Sequence, residues 1–434
     1  MNFSDSEIVA SVMTSHDFEI TPEPGDADVI FLNTCSIRDH AERRVVNRLR
    51  ELQHLRKKRH GLVIGVLGCM AERLKTSLLD NETDGFRVDM VVGPDAYRQL
   101  PQLLFDAESG HKAINVLLSA EETYADINPV RYAAGGVSGF ISIMRGCENF
   151  CAYCVVPYTR GKERSRDPHS ILSEARQLLA DGYREVTLLG QNVNSYRWRD
   201  PSSGGEVNFS QLLSMVAATD SRLRVRFATS HPKDLSDELL HTMAAHPNIC
   251  KAIHLPVQSG STAVLHRMNR KYSREDYLNR ITAVKKILPG CALSTDIIAG
   301  FCGETEEDHQ QTLSLMDKVG FDFAFMFKYS ERPGTPAAKK HADDVPDETK
   351  THRLTEIINK QQELSLESNQ QDLGKQLEVL AEGPSKRSES MMMGRAGNNK
   401  VVIFAANDTK PGDYVKVKIT GCTSATLKGE TIDD

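Results

Sequence analysis

Phe140-Ile-Ser-Ile-Met-Arg-Gly-Cys147-Glu-Asn-Phe-Cys151-Ala-Tyr-Cys154 runs from a β pattern directly into three closely spaced cysteines. Downstream of it strand and helix patterns alternate, with strands expected near Phe140–Met144, Val186–Leu189, Val225–Ala228, Ile253–Val257, Leu293–Ile298 and Phe323–Tyr329. The intervening segments Ile171–Ala180, Tyr277–Ile287 and Thr305–Val319 carry apolar stripes at helical spacing. Six such units, from about 138 to 335, predict a partial (β/α)6 barrel. In barrels of parallel strands the functional groups collect on the loops after the strands, and the cysteine triplet follows the first of these.

Upstream, residues 1–125 read as a small open parallel α/β domain. Asp28–Thr34 leads into Cys35, Leu62–Gly68 leads into Cys69, and Val88–Val92 ends at Gly93. Ala41–Leu52 places Val45, Val46, Leu49 and Leu52 at helical spacing, and Glu72–Leu79 continues that pattern after Cys69. Both cysteines stand where strands end, the edge at which open parallel sheets bind ligands, so they are expected to face one site. After the barrel, a polar helical connector at Thr349–Gln371 leads to strands at Gln376–Leu380, Lys400–Phe404 and Tyr414–Ile419. These fit a small β-barrel of about 60 residues. The whole is a multidomain α/β chain with expected domains at 1–125, 133–370 and 373–434.

A chain of 434 residues exceeds one ordinary core. No apolar run approaches the roughly 20 residues of a membrane span, and the N-terminus lacks a signal-like segment, so a cytoplasmic location without membrane partners is expected. The net charge of −6 argues against a globally basic nucleic-acid binder. Local basic runs lie at Arg43–His60, Arg160–Arg166 and Arg267–Arg274. Such runs are usually solvated faces, and with a nucleic-acid substrate they become phosphate-contact candidates, the second run above all.

Three of the nine cysteines are too close together for a disulfide framework, which leaves metal or cluster ligation. Structural zinc normally takes four protein ligands, and the next histidine is His169. Three thiolates can instead hold a 4Fe-4S cube and leave one iron open.

The triplet, with Tyr153 before its last cysteine, resembles the signature of the radical S-adenosylmethionine superfamily. There the open iron is chelated by S-adenosylmethionine, and an electron from the cluster cleaves the sulfonium to a 5′-deoxyadenosyl radical. Further segments resemble the methylthiotransferases of that class across nearly the whole chain: Asn33–Arg38, Gly68–Arg73, Val155–Gly161, Gly190–Tyr196, His254–Ser261 and Tyr329–Pro336. The wording Asn-Thr-Cys-Ser-Ile-Arg and Asn-Val-Asn-Ser-Tyr is similar to the branch acting on isopentenyladenosine in tRNA. The sister branches act on threonylcarbamoyladenosine in tRNA or on a ribosomal protein.

The resemblance implies two 4Fe-4S clusters, one on Cys147, Cys151 and Cys154 and an auxiliary, sulfur-supplying one on Cys35 and Cys69. It implies S-adenosylmethionine contacts at Gln191, Asn192, Ser230, His231, Gly300 and Glu304, and a TRAM-like RNA-binding barrel from about Leu373. The implied partners are a tRNA anticodon stem-loop and an external electron donor. Deletion from Leu373 is expected to weaken tRNA binding more than radical generation. Cys302 stands where the family usually has proline and is read as apolar packing, as are Cys250, Cys291 and Cys422. The family's first domain supplies a third auxiliary cysteine in a Gly-Cys-Gln-Met-Asn motif, whereas this sequence begins Met1-Asn2 and continues to Asp5-Ser-Glu7. The resemblance therefore implies a natural protein that starts earlier and adds that ligand to Cys35 and Cys69.

Overall fold

A computed structural model describes residues 1–36, 39–79, 85–131 and 136–432. Ile37 and Arg38 at the end of one family-like segment, residue 133 at the expected start of the barrel domain, and residues 433–434 lie outside the described residues. By packing, the chain forms two compact units: residues 1–134, 144–150 and 154–170 in one, and 135–143, 151–153 and 171–434 in the other.

The first unit is built on a four-stranded parallel sheet, β1 (Val29–Thr34), β2 (Val63–Gly68), β3 (Met90–Val92) and β4 (Ala113–Asn115), in that order. Every residue of β2 is buried, as expected of an inner parallel strand covered on both faces. Val63 and Leu67 join Ile8, Val9 and Met13 of α1 (Asn2–Thr14) on one side, while Ile64 and Val66 join Leu49 and Leu52 of α2 (Asp39–Lys58) on the other. Three strands were legible from the sequence. The fourth is only Ala-Ile-Asn, too short to show a period.

The second unit contains all six expected barrel strands: β5 (Ser138–Ser142), β6 (Glu185–Leu189), β7 (Arg224–Ala228), β8 (Ala252–His254), β9 (Ala292–Ala299) and β10 (Phe323–Lys328). They are parallel, in two three-stranded groups, β5-β6-β7 and β8-β9-β10, and a lone bridge from Val225 to Ile249 reaches from the first group toward the second. Among the described residues no ladder joins β10 to β5, which makes the barrel partial.

The C-terminal segment closes a five-stranded barrel from β11 (Gln376–Ser385), β12 (Ser388–Ala396), β13 (Val401–Ala405), β14 (Tyr414–Cys422) and β15 (Leu427–Thr431) around Val379, Met392, Val402, Phe404, Val417 and Leu427. The sequence signalled three of the five. β12 opens Ser-Glu-Ser and then runs through three methionines, so its inward set of Met392, Gly394 and Ala396 shows no contrast with its neighbours. This barrel shares a unit with the six strands. Arg224 donates to the Arg395 carbonyl (2.7 Å) and Arg226 to that of Ala396 (2.9 Å). The Tyr414 hydroxyl donates to the carbonyls of Arg184 and Arg222 (3.1 Å each). Deletion from Leu373 therefore also strips acceptors from two largely buried guanidinium groups.

Candidate active site

The register of β1 and β2 pairs Thr34 with Gly68, so the following residues, Cys35 and Cys69, leave neighbouring parallel strands side by side. Gly68 makes the exit possible: its φ is +89°, and a Cβ would meet Asn33 Oδ1 and the Thr34 carbonyl at 2.7 Å. Cys69 then opens a short helix, Cys69–Leu74. Arg160 Nε donates to Cys69 Sγ (3.2 Å) and its Nη2 to Asp5 Oδ2 (2.6 Å). Arg145 donates through Nη1 (2.9 Å) and Nη2 (2.8 Å) to the other Asp5 oxygen and lies over the Tyr124 ring at 4.7 Å. Asp5 and Arg145 are 0% and 1% exposed. Burial works against ionisation of Asp5, yet the two guanidinium groups hold its carboxyl below the ordinary carboxylate value.

Two of the basic runs are thereby corrected. Arg160 is spent on Asp5 and Cys69, Arg164 on Asp95 (3.0 Å) and Arg166 on Ser170 (2.9 Å), all three buried. Arg267 reaches the Gly303 carbonyl (3.0 Å) and Arg274 the Gly260 carbonyl (2.8 Å), and Arg270 is buried as well. Arg267 is partly exposed, the other five are internal clamps, and Lys162 and Lys271 are the exposed lysines of the two runs. Only α2 displays its run to solvent, through Arg43, Arg44, Arg48, Lys57 and Lys58.

Glu72, on the helix that Cys69 opens, has a 5% exposed side chain and an Oε2 without a partner. Burial pushes its carboxyl up to about 7, opposed by Lys75 at 3.8 Å and reinforced by Asp95. A carboxyl held protonated by the fold contributes stability below its unfolded value of roughly 4.3. That contribution is lost as pH rises through about 7. Glu72→Gln is expected to stabilise the chain by about 1–3 kcal/mol at pH 8 and by little at pH 5, read from thermal unfolding at both. An equal gain at the two pH values would rule out titration as the cause.

The triplet loop turns at Gly146, where φ is +82° and a Cβ would collide with the Lys162 carbonyl. The Cys147 N–H donates to the Gly161 carbonyl (3.1 Å), and Ala152 bonds through its N–H to the Met268 carbonyl (2.8 Å). Each sulfur receives a donor: Asn149 Nδ2 on Cys147 (3.4 Å), Arg270 Nη1 on Cys151 (3.2 Å) and the Val156 N–H on Cys154 (3.5 Å). A thiol is a weak acceptor and a thiolate a good one, so this set of donors fits the deprotonated state that iron ligation requires. Among the described residues no three His, Cys, Asp or Glu side chains converge as on a single ion. A cube takes each thiolate on a different iron, and its ligands stand farther apart than those of one ion.

The remaining sequence-derived residues occupy loops after parallel strands. Gln191 and Asn192 follow β6, Ser230 and His231 follow β7, and the Val193 N–H joins the two loops at the Thr229 carbonyl (2.9 Å). Thr229 (φ +72°) and Gln258 (φ +75°) are non-glycine residues in the left-handed region, strain of the kind that clusters at ligand sites. Gln191 Oε1, Asn192 Oδ1 and Ser230 Oγ are buried and have no partner among the described residues. So are both polar atoms of the Asn194 amide, which was not singled out although it lies in the same family-like segment. Such a row of orphaned polar atoms fits a polar ligand. His231 accepts at Nδ1 from the Lys233 N–H (3.3 Å), and burial, with Arg270 and Lys233, lowers it to about 2, so its ring is neutral. Glu304 follows β9 and spends Oε1 on the Gly300 N–H (2.8 Å) and Arg353 Nη1 (3.0 Å), which fixes the loop that starts at Gly300. Cys302 is buried beside Phe301, Val264 and Met268 in an apolar cluster, as its reading as packing expects.

Models of three families match the chain: the Radical SAM superfamily over residues 141–316, Uncharacterized protein family UPF0004 over 1–93 and the TRAM domain over 370–432. Among curated relatives, the tRNA-2-methylthio-N(6)-dimethylallyladenosine synthase of Amoebophilus asiaticus is 58% identical over 440 residues, covering 99% of this chain and 90% of the relative. The enzyme of the same name from Bacteroides thetaiotaomicron is 56% identical, covering 100% and 94%. Among solved structures, the radical S-adenosylmethionine methyltransferase TsrM from Kitasatospora setae superposes with a TM-score of 0.58 over 78% of this chain and 72% of that one. At 14% identity that likeness is one of fold. With the cysteine triplet on a partial barrel, a closed five-stranded C-terminal barrel and identity above one half along nearly its whole length, the chain belongs to the tRNA-2-methylthio-N(6)-dimethylallyladenosine synthase family of radical S-adenosylmethionine enzymes.

Proposed function

We propose that the protein converts N6-dimethylallyladenosine beside the anticodon of tRNA to its 2-methylthio derivative in the cytoplasm, with S-adenosylmethionine as methyl donor and radical source. The observation that carries this reading is the 58% identity to a synthase of that name over nearly the full chain. Cys147, Cys151 and Cys154 hold the radical-generating cluster, and Cys35 and Cys69 help to hold the auxiliary one. When bound, a cluster with an open iron supplies the electron that cleaves S-adenosylmethionine, and an external donor replaces that electron. Gln191, Asn192, Ser230 and His231, with the loop from Gly300 to Glu304, receive the cofactor's polar groups. Neutral His231, whose Nδ1 accepts from the Lys233 N–H, carries its proton on Nε2 and can donate there without adding a charge beside the sulfonium. An adenosine stacked in a helix cannot enter a barrel mouth, so the target is splayed out of the single-stranded anticodon loop. No described helix is long and apolar enough to cross a membrane.

Nucleoside analysis of tRNA from cells lacking this protein tests the reading. The unmodified dimethylallyl nucleoside should accumulate and the 2-methylthio product vanish, returning with the intact gene. Persistence of the product without the gene would overturn the assignment.

A further inference from the structure

Arg270 is a buried cation whose charge nothing in the proposed chemistry uses. Each nitrogen of its guanidinium is engaged: Nη2 donates to the Pro256 carbonyl (2.7 Å), Nε to the Tyr272 hydroxyl (2.8 Å) and Nη1 to Cys151 Sγ (3.2 Å). Among the described residues no carboxylate pairs with it, and the groups that chiefly favour its charged form are Tyr272, Tyr153 and Cys151, while the neighbouring His231 ring is neutral. Burial pushes Tyr272 up to about 12, so that hydroxyl is neutral. A buried cation without a counter-charge carries a heavy desolvation cost. Among the described residues, Cys151 is the group hydrogen-bonded to Arg270 that can supply the anion. Arg160 meets Cys69 at the same 3.2 Å, but its charge is answered by Asp5.

We infer that Arg270 is a positioning residue for the radical-generating cluster, its guanidinium serving as counter-charge to the Cys151 sulfur and holding the cluster's reduction potential up. The inference rests on the reading of the triplet as cluster ligands. One-electron reduction adds negative charge to the cluster, and a fixed cation hydrogen-bonded to a ligand sulfur stabilises the reduced form more than the oxidised one. Removing that cation therefore moves the midpoint to more negative potential.

The test is spectroscopic redox titration of the full chain, anaerobically loaded with iron and sulfide, following the paramagnetic signal that changes when S-adenosylmethionine is added. For Arg270→Gln the midpoint should fall, so that at a fixed poise near the wild-type midpoint the ratio of reduced to oxidised cluster drops by about tenfold or more. Arg270→Lys keeps the charge but loses the forked geometry and should fall between the two. An unchanged midpoint in a loaded Arg270→Gln chain, with weaker S-adenosylmethionine binding alone, would assign the arginine to the cofactor's carboxylate and overturn the inference. If Arg270→Gln cannot be loaded, Arg270→Met removes the same charge in its place, and a wild-type midpoint in that variant overturns the inference equally. A wild-type chain with no S-adenosylmethionine-responsive cluster would instead sink the reading of the triplet itself.

Discussion

The triple variant Cys147→Ala, Cys151→Ala, Cys154→Ala is expected to form no 5′-deoxyadenosine above background and to lose one cluster's complement of iron. Three thiolates are the whole protein ligand set for a cube with an open iron, so no remaining side chain of the loop replaces them. The fold should persist, because the loop is anchored by backbone bonds from Cys147 to Gly161 and from Ala152 to Met268 that alanine retains. The variant also removes the sulfur that faces Arg270, so some loss of stability is expected as well. Circular dichroism and iron analysis read the two effects apart. Undiminished cleavage of S-adenosylmethionine by the triple variant would end the assignment of these cysteines.

Asp5→Ala is expected to be among the most destabilising single substitutions in the first unit, at about 3–5 kcal/mol. One carboxylate, wholly shielded from solvent, accepts three bonds from Arg145 and Arg160. Its removal leaves two buried guanidinium groups facing each other, with Asp95, 3.8 Å from Arg145 Nε and already bonded to Arg164, as the nearby carboxylate. Loss of an exposed ion pair would cost at most about 1 kcal/mol. A loss of that smaller size, read from hydrogen exchange of the β1–β2 amides or from thermal unfolding, would show that the network is hydrated and the argument wrong. Asp5→Asn keeps one acceptor and should cost less than alanine. Because Arg160 also bonds Cys69, either change is expected to loosen the strand exit where Cys35 and Cys69 lie side by side.

What was legible in the sequence was what local period and local spacing encode. All six barrel strands were placed within a few residues, because the short β-rich stretch of β6 and the alternation along β7 and β9 differ plainly from the stripes of the intervening helices. β4, β12 and β15 were missed for the opposite reason. Three residues, a methionine run and a glycine-broken segment carry no contrast between faces until partner strands define an inside.

For the site, the same division holds. The sequence by itself determined the triplet, the family-like loops after the strands and the two distant cysteines at strand ends. It did not determine which arginines face solvent. The runs at 160–166 and 267–274 look alike as charge density, yet Arg160 finds its carboxylate 155 positions away and Arg270 its sulfur 119 away. Only the tertiary structure decided that these cations are internal clamps, that Thr34 pairs with Gly68 so that Cys35 and Cys69 adjoin, and that Arg224 and Arg226 hold the C-terminal barrel. The physical reason is that a charge is satisfied by whatever the fold brings within about 3 Å of it, and that partner is set by strand register and packing rather than by neighbours in the chain.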